Sequence, residues 1–220
     1  MAVCPVLDSA TRKWTMSGMA GGEHYFSAEP GARSRPAAVE YQVAGQTFRL
    51  RTDAGVFSAT RLDPGTAVLL RKAVLPTTAT AGALLDLGCG YGPIACALAR
   101  LAPMATVYAV DVNARALDLV RDNARDLGLG DRVVAARPDD VPDAVSFGQI
   151  WSNPPIRVGK GELHALLDQW LPRLAPDGTA WLVVGRHLGA DSLAAWLAER
   201  GWHVGRHASQ KGYRVLRVTW

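Results

Sequence analysis

The chain has 220 residues, 49% of them hydrophobic and 20% charged, with a mean hydropathy of +0.04 and a net charge of +4. This is the balance of one soluble globular domain with a modest extension; it excludes a disordered chain, and no apolar run approaches the roughly 20 residues of a membrane-spanning helix. The cysteines, Cys4, Cys89 and Cys96, have neither metal-ligand spacing nor the even count of a disulfide framework, so a reducing, cytoplasmic setting and no bound metal are expected.

Residues 1–22 show no hydrophobic period, end in Gly21-Gly22 and lack the basic and apolar stretches of a secretory signal, so a flexible leader is expected. Residues 23–82 read as an N-terminal extension. Alternation over 39–52 around Ala44-Gly45-Gln46 predicts a β-hairpin. A helix through Leu75 follows, with Asp63 as N-cap and Pro64 in its first turn. Over 83–220 strands and helices alternate: strands at 83–87, 106–111, 132–136, 148–152 and 179–184, helices at 93–102, 114–127, 162–174 and 192–200. Two more strands, joined by a turn, end the chain. Repeated βα units with apolar strands predict an α/β, Rossmann-like core. Its seven-stranded, mostly parallel sheet ends in an antiparallel C-terminal hairpin.

The run Leu85-Asp86-Leu87-Gly88-Cys89-Gly90-Tyr91-Gly92 follows a predicted strand and opens a helix, the context in which a glycine turn binds a nucleotide cofactor. Lacking Cβ atoms, Gly88 and Gly90 let the backbone approach a ligand. Asp111 stands 111 − 92 = 19 residues past Gly92, at the end of the next strand, where a carboxylate accepts hydrogen bonds from ribose hydroxyls. The spacing departs from the dinucleotide pattern. It suits S-adenosylmethionine, which has no pyrophosphate to seat but has an ammonium group for Asp86 and nearby carbonyls. Asn113 reads first as the N-cap of its helix and second as a ribose or adenine contact.

Asn153-Pro154-Pro155-Ile156 sits at the C-terminal end of the fourth parallel strand, where open α/β sheets bind ligands. An aromatic amino nitrogen is a poor nucleophile, because its lone pair is delocalised into the ring. The Asn153 side-chain oxygen and the Pro154 carbonyl can accept its two N–H hydrogens, align it with a sulfonium methyl and stabilise the developing positive charge. The prolines stiffen the loop and bring no competing N–H.

Together the Asn153–Ile156 loop, the glycine turn and Asp111-Val112-Asn113 resemble the small-domain class I methyltransferases related to ribosomal RNA small subunit methyltransferase C, in a compact, single-domain form. The likeness extends to His24-Tyr25-Phe26-Ser27, Gly55-Val56-Phe57-Ser58, Leu62–Thr66, Ile156–Lys160 and Lys211–Arg214. The resemblance implies S-adenosylmethionine as cofactor and methylation of guanine N2 in 16S rRNA, with free rRNA or a small-subunit assembly intermediate as partner. Larger relatives carry a second N-terminal domain for which this chain has no room, so RNA recognition must differ or rest on fewer contacts. Where the family often has a Ser-Asp pair for adenine, this chain reads Arg137-Pro138-Asp139-Asp140, and Asp139 is the best substitute.

Arg157 and Lys160 after the catalytic loop, and more weakly Lys211 and Arg214 at the last hairpin, are the candidate nucleic-acid contacts, against the plainer reading of solvated surface charge. Phe57 is expected to be a buried anchor for the hairpin. Trp170, Trp181, Trp196 and Trp202 read as core. The alternatives are adenine-N6 or protein glutamine-N5 methylation, or a non-catalytic RNA-binding module of ribosome assembly. The sequence carries no indication of oligomeric state.

Overall fold

The computed structural model describes residues 32–155 and 159–220. The leader over 1–22, His24, Tyr25, Ile156 and Arg157 therefore lie outside the described residues. Strands β1 (Ala37–Val43) and β2 (Gln46–Thr52) form the predicted hairpin. Ala44 and Gly45 both take positive φ, 49° and 76°, as a two-residue turn matched to strand twist requires. Alternate residues Val39, Tyr41, Phe48 and Leu50 are buried. Helix α1 (Pro64–Lys72) is capped by Asp63, whose carboxylate accepts from Thr66 N. It stops short of Leu75, which precedes Pro76 and is steered away from helical backbone.

The main sheet contains β3 (Ala81–Leu87), β4 (Met104–Val110), β5 (Val133–Ala136), β6 (Phe147–Ser152), β7 (Leu174–Gly185), β8 (His203–Gln210) and β9 (Tyr213–Thr219). Their order is β5-β4-β3-β6-β7-β9-β8. Pairing is parallel as far as β7; β9 then inserts antiparallel between β7 and β8. This is the fold class expected. Helix α2 (Pro93–Leu101), helix α3 (Ala114–Asp126), α1 and the hairpin share a core on one face, and α4 (Lys160–Trp170) and α5 (Ala190–Glu199) share one on the other. The strand period of two divides β3 between them: Leu84 faces the first core, Leu85 and Leu87 the second. Trp170 is fully buried, Trp181 and Trp202 nearly so, while Trp196 is half-buried and stacks on His164.

Two boundaries moved for a local reason. Pro172 lacks an N–H, so α4 ends at Trp170 and only one tight helical turn, Leu171–Arg173, follows. Strand β7 then begins at Leu174 rather than Thr179, with a register shift against β6 before Gln149 meets Thr179. No helix among the described residues is long and apolar enough to cross a membrane.

The hairpin is fastened to the core by Asn123 of α3, which is 1% exposed. Its Oδ1 accepts from Arg51 N at 2.7 Å, and its Nδ2 donates to Arg51 O and Tyr91 O, both at 2.9 Å. The side chain thus completes the edge of β2 as a neighbouring strand would. Replacing it leaves Tyr91 O without this buried donor and the part-buried Arg51 N and O without theirs, a loss of about 1–3 kcal/mol for a buried group and less for the others. We expect Asn123→Ala to lower the unfolding free energy by roughly 3 kcal/mol in urea titration; a change below about 0.5 kcal/mol would mean that water replaces these bonds.

Candidate active site

At the end of β3 the chain turns across β4: Gly88 N and Cys89 N donate to Val110 O at 2.8 and 3.0 Å. Gly88 and Gly90 have φ of 74° and 54°, and a Cβ on either would meet nothing within 4 Å, so the turn leaves open space above it. Asp111, the residue after β4, braces this turn. Its Oδ2 accepts from Gly90 N and its Oδ1 from Asn113 N, both at 2.9 Å. Burial raises its pKa, against hydrogen bonds from Asn113, Gly90 and Val112. Asn113 caps α3 as expected, accepting from Ala116 N at 3.2 Å, and donates to Gly55 O at 2.9 Å. Gly88, Gly90, Asp111 and Asn113 line one end of a cleft.

Asn153, Pro154, Pro155, Gly185, Leu188 and Tyr213 line the other end. Ser152, fully buried, donates to Leu87 O at 2.7 Å and so fixes the end of β6 beside the glycine turn. Asn153 Nδ2 donates to Asp63 Oδ1 at 2.7 Å and to Thr66 Oγ1 at 3.0 Å. A carboxylate can only accept, so Asn153 must turn its amide nitrogen toward α1. Its carbonyl oxygen is then the polar atom left for the cleft. Gly65 permits this approach, since a Cβ there would come within 2.9 Å of Asp63 Oδ1 and 3.0 Å of the Tyr213 ring. Sequence reading assigned Asp63 only its capping role. A contact across 90 positions leaves no mark in local spacing.

The family model described as Methyltransferase small domain matches residues 47–217. The chain belongs to this family. It is 32% identical to YbxB, an uncharacterized protein of Bacillus subtilis, over 198 residues that cover 89% of this chain and 98% of the relative. It is also 42% identical over 125 residues to ribosomal RNA small subunit methyltransferase C of Aeromonas hydrophila, covering 56% of this chain and 34% of that one. With ribosomal RNA large subunit methyltransferase G of Pseudomonas paraeruginosa it shares 34% identity over 170 residues, 74% of this chain and 45% of that one. The chain therefore spans between a third and a half of these two methyltransferases. Among solved structures, a T. thermophilus 16S rRNA N2-guanine methyltransferase in complex with AdoMet and guanosine superimposes with a TM-score of 0.72 at 25% identity, covering 86% of this chain and 52% of that one.

Within this small-domain methyltransferase several expected site residues lie away from the cleft. Asp86 was expected to face an ammonium group; instead it is fully buried beneath the turn, with Oδ2 accepting from Ala95 N of α2 at 2.8 Å and Oδ1 without a partner among the described residues. Strand alternation puts it on the face covered by α1, α2 and α3, while its neighbours Leu85 and Leu87 point to the face covered by α4 and α5. Cys89 is buried and lines a small side pocket, with Tyr91, Thr66 and Asn153 also on its wall. Gly92 faces α3, where a Cβ would press on Val120 at 3.1 Å. Asp139 is exposed on the short turn after β5 and does not line the cleft. Lys160 is exposed at the start of α4, and Lys211 and Arg214 line a separate concavity. Arg214 is ion-paired with Asp191. Phe57 is not a buried anchor: Val56 fills that role at 1% exposure, while Phe57 is 41% exposed on the cleft wall.

Burial pushes the Asp86 carboxyl up to about 8, overriding the Ala95 hydrogen bond, and the nearby Asp111 charge adds to the rise. The folded protein then keeps a proton that the unfolded chain releases near the ordinary value of 3.8. The contribution of Asp86 to stability therefore falls as pH rises between about 4 and about 8, and levels off above. An Asp86→Asn variant lacks this term. We expect the variant to gain stability relative to the parent when urea titrations are moved from pH 5 to pH 8; a constant difference would show that Asp86 ionises normally.

Proposed function

We propose that this small-domain methyltransferase transfers a methyl group from S-adenosylmethionine to an exocyclic amino nitrogen of an RNA base, with guanine N2 of 16S rRNA as the acceptor. The observation that carries the reading is the fixed orientation of Asn153, whose amide nitrogen is held by Asp63 and Thr66. The open floor at Gly88 and Gly90 and the carboxylate of Asp111 fit the backbone approach and the ribose hydroxyls of the cofactor. When bound, S-adenosylmethionine supplies an electrophilic methyl on a positively charged sulfur.

The chain's own residues supply alignment and charge. Asn153 Oδ1 and the Pro154 carbonyl accept the two N–H hydrogens of the base amine and hold its nitrogen in line for displacement. As the nitrogen takes the methyl and becomes positive, both oxygens interact with it more strongly, which lowers the barrier. The electrons of the broken C–S bond stay on sulfur as a neutral thioether, and the nitrogen then releases one N–H proton to solvent. Pro154 and Pro155 contribute no N–H that would compete for the same oxygens. Phe57 and Leu188, 41% and 53% exposed, offer apolar surfaces for a flat ring on the cleft walls. They take the part of the aromatic residue that commonly follows the prolines in adenine and glutamine methyltransferases, where this chain has Ile156.

Guanine is favoured by the guanosine bound to the T. thermophilus enzyme and by the likeness to the small-subunit enzyme of Aeromonas hydrophila. Similarity to large subunit methyltransferase G supports a second reading, the same chemistry on large-subunit rRNA. Mapping the methylated base in rRNA from a deletion strain separates the two.

We expect calorimetry to detect binding of S-adenosylmethionine and none of NAD; the reverse would end this reading. Asp111→Ala should weaken cofactor binding by about 1.5–3 kcal/mol through loss of charge-assisted hydrogen bonds. Asn153→Ala should lower kcat about 100- to 1,000-fold with cofactor affinity nearly unchanged. A folded Asn153→Ala protein methylating rRNA at the normal rate would reduce the motif to a rigid turn.

A further inference from the structure

Beside the cleft lies a second concavity of about 420 Å³, with Arg186, Arg206, Ser209, Gln210, Lys211 and Arg214 on its wall. It is built at the end of β7 and around the β8–β9 turn, and Arg186 N donates to Gly212 O at 2.8 Å to join the two sides. It adjoins the acceptor end of the cleft. Tyr213 lines both, and Arg186 stands in the chain between Gly185 and Leu188 of the cleft.

Its cations are set apart by being gathered on one concave wall rather than by lacking partners, since Arg49, Arg61 and Arg137 are also exposed with no ion-pair partner among the described residues. Arg51, Arg121, Arg125 and Arg200 are each paired with an aspartate, at Asp126, Asp118, Asp122 and Asp168. Arg214, on the pocket wall, is paired with Asp191, which does not line the pocket. Arg186, Arg206 and Lys211 are exposed, have no ion-pair partner among the described residues, and share a wall that contains no carboxylate. Like charges gathered in a concave surface repel one another and create a potential that an anion relieves.

We propose that Arg186, Arg206 and Lys211 form a phosphate-binding subsite that holds the RNA backbone next to the nucleotide whose base enters the cleft. This rests on the reading of the cleft as a site of RNA base methylation. Each guanidinium can pair two phosphate oxygens at once, Lys211 adds a point charge, and Ser209 and Gln210 add neutral donors. Such contacts set register and carry no sequence information. They give a compact chain a means of seating RNA beside the cleft.

The test uses a fluorescein-labelled single-stranded RNA of mixed sequence, titrated by anisotropy over a range of salt. The variant is Arg186→Gln/Arg206→Gln/Lys211→Asn; asparagine is chosen because Lys211 has φ of 50°, a conformation asparagine tolerates. At about 0.7 for each single-strand phosphate, losing three contacts should flatten the slope of log affinity against log salt by about 2, and affinity at low salt should fall tenfold or more. Arg186→Lys/Arg206→Lys should keep the slope, and S-adenosylmethionine affinity should be the same in all three proteins. Unchanged RNA affinity and slope in the triple variant would overturn the proposal. So would a triple variant in which RNA affinity falls while the salt slope stays that of the parent, since the lost contacts would then not be to phosphate. Should the parent protein methylate no RNA, the reading of the cleft fails, while the salt slope still decides the pocket.

Discussion

The proposed active site depends on a hydrogen bond between two side chains 90 positions apart in the chain, Asn153 Nδ2 to Asp63 Oδ1 at 2.7 Å. An asparagine amide is ambiguous by shape, since its oxygen and nitrogen ends are nearly isosteric. Pointed one way it accepts from an amine; pointed the other it repels one. Asp63 removes the ambiguity because a carboxylate has no hydrogen to give. The same oxygen accepts Thr66 N at 2.9 Å, so capping α1 and orienting Asn153 are a single act.

That dependence explains the extension. The hairpin and α1 do more than cover the sheet: α1 presents Asp63 and Thr66, Gly65 admits the Tyr213 ring, and the segment after β2 places Phe57 on the cleft wall. Asn123 and Asn113 tie this segment to α3 through Arg51 and Gly55. At the other end, Asp111 stiffens the glycine turn through Gly90 N before any ligand arrives. Groups held in place beforehand need no reorganisation as charge develops, and that is the basis of electrostatic catalysis.

Much of this was legible in the sequence, because its signals are local. Alternation, glycine spacing and capping residues placed the hairpin, α1 and the sheet strands. The Asn153-Pro154-Pro155 loop and the glycines Gly88 and Gly90 of the turn all line the cleft that the fold brings together. The burial of Asp86 was not legible, because its position in the motif says nothing of strand phase. Two residues from Leu84, it shares that residue's face and is sealed under α2. Phe57 is exposed where a buried anchor was expected, and its neighbour Val56 is buried instead, since loop residues have no period from which burial can be read. The unpaired charge of Arg186, Arg206 and Lys211 was equally hidden. Whether an arginine has an acid beside it is decided by tertiary contacts, as Arg200 with Asp168 shows.

The central claim is that Asp63 acts on the reaction through Asn153, and a double-mutant cycle tests it directly. Single-turnover methylation of rRNA would be measured for Asp63→Ala, Asn153→Ala and the double variant, with stability followed separately because losing the cap alone costs about 1 kcal/mol. The account predicts that Asp63→Ala slows the parent enzyme without changing cofactor affinity, and has no further effect once Asn153 is alanine, because both substitutions remove the same oriented acceptor. Independent, fully additive losses would contradict it.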